Sequence, residues 1–339
     1  MEIYPWQAET WRRLTDDKRQ LPHALLLQGR SGIGKFAFAR TLAQALLCEM
    51  PQPTGLPCGQ CLACGWFSQG NHPDFRLLES EAARVPDSVA EASDDERQKN
   101  RKPSKYITIE QIRELSGIIN LTTHRHGLRV ILIHPAEAMN ANAANALLKT
   151  LEEPPPRTLF ILVSHQPQRL LPTVLSRCLK IAMPAPAPDV ALKWLQDQGV
   201  SASSAYLAQA GYAPLDALRL CHEEYQAQRR DFLSQLAKPR TIDPIKLAEQ
   251  SEKIDLADIA DWLQKWTYDL ISHAMGAKIR YQPDFEKELH ELSEGIDLLK
   301  LLAYERELLG ARQTLQHPLN SQLLVEQLLL SYTRALVHS

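Results

Sequence analysis

The sequence lacks several features that would assign it to a common class. No apolar run approaches the roughly 18 residues that a membrane-spanning helix needs. The first six residues contain neither the basic stretch nor the apolar stretch of a secretory signal peptide. The formal net charge is only −2, so no global basic field points to nucleic acid. We therefore expect a cytoplasmic protein, in which the 6 cysteines favour metal ligation or free thiols over disulfides.

The chain is long enough for more than one domain. Its 339 residues predict two or three domains, and a hydrophobic fraction of 44% with a charged fraction of 23% is typical of soluble globular proteins. Apolar runs at 25–28, 130–133 and 159–163 predict buried strands of a parallel sheet, and residues 75–78 predict a further short strand. After the proline-rich segment 184–188 the sequence has helical patterns only. We predict an α/β domain over 1–183, a small helical domain over 184–224 and a helical domain over 225–339.

A glycine-rich segment follows the first apolar run. From Gly29 its spacing is G-x-x-x-x-G-K, which is typical of the loop that cradles nucleotide phosphates between a strand and a helix. The residues assigned to nucleotide binding are Gly29, Gly32, Gly34 and Lys35. The next position in such a loop is Ser or Thr, whose hydroxyl binds Mg²⁺, but here it is Phe36. The loop is therefore degenerate, and it leaves nucleotide binding open.

A second part of hydrolytic chemistry is missing after the strand at 130–133. In nucleotide hydrolases this strand ends in an acidic pair that holds Mg²⁺ and orients the attacking water. Here the strand is followed by His134 and Pro135, neither of which can do either task. Glu137 lies three positions further on, and we do not assign it a catalytic role. Together with Phe36, this absence predicts slow or absent hydrolysis.

Four cysteines predict a metal site between residues 48 and 64. Three of them have the spacing C-x-x-C-x-x-C, which lets adjacent thiolates converge on one ion, and a fourth ends the preceding predicted helix. The predicted ligands are Cys48, Cys58, Cys61 and Cys64. Four sulfur ligands leave no open position, so zinc here would be structural. The alternatives are four free thiols or an iron–sulfur cluster, while Cys178 and Cys221 are isolated and predict small core residues.

Residues 79–105 form a polar insertion that is acidic first and basic towards its end. Such a composition predicts a flexible surface segment. Its basic end is a candidate contact for nucleic acid, and the alternative is a surface loop exposed to solvent.

Several segments taken together resemble the bacterial clamp-loader ATPase family, which has the AAA+ fold. They are NAANALLKTLEEPP at 142–155, SRC at 176–178, HPLN at 317–320 and the four-cysteine module after the phosphate-loop helix. The resemblance implies an α/β AAA+ P-loop domain, a parallel sheet with helices on both faces and an inserted zinc module. It also implies that a helical lid domain and an all-α C-terminal collar domain follow.

The resemblance also implies partners and one further site residue. Members of this family form a ring-like hetero-pentamer, here with gamma/tau motor subunits and a delta subunit, that loads a sliding clamp onto primed DNA. Arg177 matches the arginine finger of the SRC motif, which would serve the ATP site of a neighbouring subunit; the alternative is a surface salt bridge. Lys149 and Arg125 are candidates for contacts with DNA phosphates. The chain would be a component of a DNA polymerase complex without polymerase or ATPase turnover of its own.

Two other functions stay open from the sequence. One is a motor ATPase of the gamma/tau type, which should keep a hydroxyl after Lys35 and an acidic pair after the strand at 130–133. The other is a zinc-dependent DNA-binding module, although no basic helix adjoins the cysteines.

Overall fold

A computed structural model describes residues 3–16, 21–80, 104–119, 127–314 and 321–337. Most of the predicted insertion at 79–105, the candidate DNA contact Arg125 and the HPLN motif lie outside the described residues. The chain divides into two compact units, Met1–Ala187 and Pro188–Ser339. The domain boundaries after 183 and after 224 stay predictions.

The first unit is built on a parallel sheet of five strands in the order β2-β3-β4-β1-β5. Its strands are β1 (Ala24–Gln28), β2 (Phe75–Glu79), β3 (Arg129–His134), β4 (Thr158–Ser164) and β5 (Leu179–Ala182). The central strands are continuous apolar runs because helices cover both of their faces. Every residue of β4 is buried. Alternate side chains therefore enter two separate cores, one containing Ile131 and Phe160 and the other Leu132 and Ile161.

The helices of this unit pack on the two faces of the sheet. They are α1 (Ala8–Thr15), α2 (Lys35–Leu47), α3 (Leu62–Ser68), α4 (Ile109–Ile119), α5 (Ala141–Glu152) and α6 (Pro172–Leu175). Helix α5 begins at the cap residue Asn140, whose side chain accepts the backbone N–H of Ala143. Three prolines follow its end and prevent the helix from continuing.

Strand β5 is a difference from the sequence-based prediction, which has four strands. It pairs with β1 in parallel at the edge of the sheet. Leu179 at its start is 51% exposed, and Lys180 is also exposed. A short edge strand with an exposed lysine does not form the apolar run that marks the buried strands.

The second unit is helical throughout the residues that the structure describes. Its helices are α7 (Pro188–Asp197), α8 (Ser203–Gln209), α9 (Pro214–Leu220), α10 (Glu223–Leu236), α11 (Pro244–Gln250), α12 (Leu256–Ala274), α13 (Glu286–Ser293), α14 (Leu298–Thr314) and α15 (Ser321–Leu336). Helices α7 to α9 enclose a small core. Helices α10 to α15 share a larger core around Trp262 and Trp266, which are fully buried. The Trp266 indole donates to the hydroxyl of Tyr332, and that hydroxyl donates to the carbonyl of Leu236.

These observations confirm the predicted fold class. A parallel sheet covered by helices carries the glycine-rich loop directly after β1, and helices follow to the end of the described chain. Among the described helices, none combines the length and apolar character needed to cross a membrane.

Candidate functional site

The glycine-rich loop lies at the carboxyl end of β1 and leads directly into α2, which begins at Lys35. Gly34 has a left-handed φ of 84°, and a Cβ there would lie 2.4 Å from the ring of Tyr4. A Cβ on Gly29 would lie 2.3 Å from the carbonyl oxygen of Met183. Both contacts are too close for any side chain, so the backbone of this loop requires glycine at these positions.

The N-terminal segment fixes the loop from outside. The indole of Trp6 and the side-chain amide of Gln7 both donate to the carbonyl of Ile33, each at 2.9 Å. Lys35 is only 2% exposed, and its ammonium donates to the carbonyl of Arg30 within the same loop. The loop thus keeps the glycines and the lysine of a phosphate-binding loop.

Aromatic rings occupy the positions where a hydrolase has its magnesium chemistry. The ring of Phe36, after the loop lysine, stacks on the ring of His134, at the end of β3, with centroids 4.3 Å apart and an interplanar angle of 25°. Neither ring offers the hydroxyl or carboxylate oxygen that Mg²⁺ prefers as a ligand. The two residues that depart from the hydrolase pattern are therefore direct neighbours in the fold.

His134 also connects the ends of the two strands beside β3. Its Nδ1 lies 3.3 Å from Oε1 of Glu79, at the end of β2, and its Nε2 lies 3.3 Å from Nε2 of His165, just after β4. Burial and the nearby Lys35 ammonium lower the pKa of His165 to about 4, so its ring is neutral at pH 7. Glu79 and His165 are not among the site residues predicted from the sequence. Side chains at the carboxyl ends of neighbouring parallel strands lie close together, and this rule could have identified both residues as neighbours of His134.

Glu137, the first carboxylate after β3, has a structural partner. One of its oxygens accepts the backbone N–H groups of His165 at 2.8 Å and Gln166 at 3.1 Å. The carboxylate therefore ties the segment after β3 to the segment after β4. Glu137 therefore has a structural role in this contact.

The four predicted metal ligands converge at one point. The Sγ atoms of Cys48, Cys58, Cys61 and Cys64 all lie within 4.8 Å of one another. The pair Cys48–Cys61 is separated by 3.9 Å and the pair Cys58–Cys64 by 4.0 Å. Zinc bonds to sulfur of about 2.3 Å in a tetrahedron place the sulfurs about 3.8 Å apart. The cysteines therefore fit a zinc ion with four sulfur ligands.

Local structure explains why these thiols meet. Cys48 directly follows α2, and Cys61 is the cap residue of α3, where its sulfur accepts the N–H of Cys64 at 3.4 Å. The N–H groups of Gln60 and Cys61 point at the sulfur of Cys58 and lower the pKa of that thiol to about 6. Burial instead raises the pKa of Cys64 to about 12. Backbone N–H groups that donate to a sulfur stabilise the thiolate, which is the form of cysteine that binds a metal ion. The contacts to Cys58 therefore favour a metal site over four free thiols.

The SRC motif follows the short helix α6 and points its residues in different directions. Cys178 is buried in the core under the sheet, whereas the side chain of Arg177 is 32% exposed. The Arg177 guanidinium donates to the carbonyl of Thr173 at 2.9 Å, to the hydroxyl of Ser176 at 3.3 Å and to the carboxylate of Glu152. Within the described structure these contacts lie around α6 and at the end of α5, and none joins Arg177 to the chain's own glycine-rich loop.

Comparison with known proteins assigns both parts of the chain to one system. A family model described as "DNA polymerase III, delta subunit" matches residues 6–187, and one described as "DNA polymerase III, delta subunit, C terminal" matches residues 223–334. DNA polymerase III subunit delta′ of Pseudomonas aeruginosa is 37% identical over 98% of this chain and 97% of its own length. The delta′ subunit of Yersinia pestis is 30% identical over 99% of this chain and 97% of its own. Subunit tau of Salmonella typhimurium is 36% identical, but over 49% of this chain and 22% of its own.

Proposed function

This chain belongs to the family of DNA polymerase III delta-prime subunits, and we propose that it completes the ATP site of a neighbouring clamp-loader subunit without hydrolysing ATP itself. Its proposed partners are gamma/tau motor subunits and a delta subunit in a hetero-pentamer. Through that complex it would help to open the sliding clamp and load it onto primed DNA. The four cysteines would hold a structural zinc ion.

One observation carries the non-hydrolysing part of this proposal. The Phe36 ring and the His134 ring stack on each other at the two positions where hydrolysis needs a hydroxyl and an acidic pair. A single substitution would not restore the metal site, because each ring fills the space beside the other. Lys35 and the loop glycines remain, so nucleotide binding is a separate question from turnover.

The proposed active contribution is Arg177. Its guanidinium is partly exposed, carries a permanent charge and, in the described part of the chain, is bound to Thr173, Ser176 and Glu152. An arginine supplied in trans stabilises charge on the transferring phosphoryl group and contributes roughly 10³–10⁵ in rate at the site that it serves. The chain would therefore take part in catalysis at a site that it does not itself contain.

A motor of the gamma/tau type is the alternative. The similarity to a tau subunit over about half of this chain favours it, as does the intact loop up to Lys35. The absence of a hydroxyl at Phe36 and of an acidic residue at His134 argues against it, because these are the groups that distinguish a hydrolase from a binding domain.

The test is ATP turnover by the purified chain alone and by the chain in a reconstituted complex with motor subunits, delta subunit, clamp and primed DNA. We expect no turnover alone and stimulated turnover in the complex. The variant Arg177→Ala should reduce turnover and clamp loading while its thermal midpoint stays unchanged. Arg169→Ala is the matched control, because Arg169 is an exposed arginine of the same region.

Two results would contradict the proposal. Turnover by the chain alone that Lys35→Ala abolishes would mean that this is a motor in its own right. Equal turnover of the complex with Arg177→Ala and with Arg169→Ala would remove the role in trans.

A further inference from the structure

Glu152 occupies an electrostatically unfavourable position. It is the last residue of α5, and Glu153 follows it as the cap residue. The carboxyl end of a helix carries partial negative charge, so acidic side chains there are disfavoured. The helix nevertheless ends in two carboxylates, and the side chain of Glu152 is 50% exposed.

Among the described residues, the Glu152 carboxylate pairs with the guanidinium of Arg177. This ion pair joins the end of α5 to the segment after α6, across 25 positions of the sequence. Because both side chains are partly exposed, the pair contributes little to the stability of the fold. The pair instead restricts the position of Arg177, the candidate arginine finger.

The guanidinium is held from two sides. One terminal nitrogen donates to Glu152, and the other donates to the carbonyl of Thr173 at 2.9 Å and the hydroxyl of Ser176 at 3.3 Å. The Thr173 carbonyl belongs to α6, where carbonyls at the helix end have no partner within the helix. Acceptors on two sides define the orientation of a long side chain that would otherwise sample many rotamers. A guanidinium has more N–H donors than these contacts use, so donors remain for a phosphate.

We propose that Glu152 is the positioning residue for Arg177: it holds the guanidinium in the orientation in which its remaining donors meet the phosphate of a nucleotide bound to the neighbouring subunit. This inference rests on the proposed function of Arg177 in trans. Glu152 does not itself touch the nucleotide. Its contribution is to orient Arg177 before the neighbouring subunit binds ATP, which lowers the entropy lost in the transition state.

The change Glu152→Gln keeps the size of the side chain and removes its charge. Misplacing a catalytic group by a small distance costs up to about 10²-fold in rate, so we expect a fall of roughly 10-fold in kcat of the reconstituted complex. This fall is smaller than that expected for the finger itself. The KM for ATP should change little, because a finger acts on charge that develops in the transition state. Glu152→Asp, which keeps the carboxylate, should recover part of the loss.

The chain offers a matched control at the next residue. Glu153 has the same side chain, is exposed and makes no ion pair within the part of the chain that the structure describes. Glu153→Gln should therefore leave turnover unchanged. Both variants remove one negative charge from the same helix end, so any difference between them reports the contact with Arg177 and not the local charge.

A double-mutant cycle in the reconstituted complex completes the test. If Glu152 acts through Arg177, the double variant Glu152→Gln/Arg177→Ala should turn over ATP at the same rate as Arg177→Ala alone. A further loss in the double variant would overturn the inference, and so would normal turnover of Glu152→Gln beside a defective Arg177→Ala. Normal turnover of Arg177→Ala would instead overturn the proposed function, so the two failures are distinguishable.

Discussion

Loss of the proposed zinc ion should unfold the segment between Cys48 and Cys61 and leave the sheet intact. Cys61→Ser is the most informative substitution. Cys61 is both a predicted ligand and the cap residue of α3. Serine is an effective cap residue but a poor zinc ligand, so this change removes the metal and keeps the start of the helix.

The expected size of the effect follows from what else holds the module. The core around the four thiols contains Ala63 besides the cysteines, so burial of apolar groups there is small. Fixing the roughly dozen residues between Cys48 and Cys61 costs about 1 kcal/mol each in backbone entropy. Structural zinc contributes about 10–16 kcal/mol in small zinc domains, which is of the size needed to offset that cost. A hydrogen bond from the Trp11 indole to the Thr54 carbonyl at 3.0 Å cannot replace it.

Hydrogen exchange measured by mass spectrometry on the full chain, with the zinc content of the same sample, tests this expectation. The wild type should carry one zinc per chain. Cys61→Ser should carry none, and residues 49–60 should exchange freely while α3, β1 and β4 stay protected, because Phe67 of α3 is buried in the core of the sheet. Cys221→Ser is the control, because Cys221 lies in the second unit and its thiol donates to the carbonyl of Leu218. Full protection of residues 49–60 in a zinc-free chain would refute the reasoning.

Two further predictions concern buried polar groups. Tyr332→Phe removes the hydroxyl that is shared by the Trp266 indole N–H and the Leu236 carbonyl. It should lower the free energy of unfolding of the second unit by about 1–3 kcal/mol, as measured by urea titration. An unchanged urea midpoint would contradict this expectation. The folded-state pKa of His165, about 4, is below the ordinary value of about 6.5, so the unfolded chain binds the proton first and stability is lost as the pH falls from about 6.5 to about 4. Wild type should therefore lose about 2 kcal/mol from this group between pH 7 and pH 5, and His165→Asn should not show this part of the loss in denaturation at the two pH values.

Features that depend on short spacing could be predicted from the sequence. The four cysteines lie within residues 48–64, and the sequence predicted their convergence because a two-residue gap directs neighbouring thiols to one side. The buried strands β1, β3 and β4 were predicted because each is a continuous apolar run. In each case the physical cause acts within one short segment.

Features that depend on the neighbouring strand could not be predicted in the same way. Strand β5 was missed because an exposed edge strand has no apolar run, and only its pairing with β1 defines it. Glu79 and His165 were missed because each is unremarkable within its own segment. They acquire a role only because β2 and β4 both pair with β3 and end beside His134.

The stacked rings of Phe36 and His134 combine a feature that the sequence shows with one that only the fold shows. Phe36 and His134 each differ from the residue that a nucleotide hydrolase has at that position, and the sequence shows this for each residue separately. In the fold they form one stacked pair, because the start of α2 and the end of β3 lie side by side at the carboxyl edge of the sheet. His134 is in turn bound by Glu79 and faces His165, so restoring a carboxylate at position 134 would place it beside Glu79. Like charges at that distance repel, and a change of Phe36 and His134 alone is therefore not expected to recover hydrolysis.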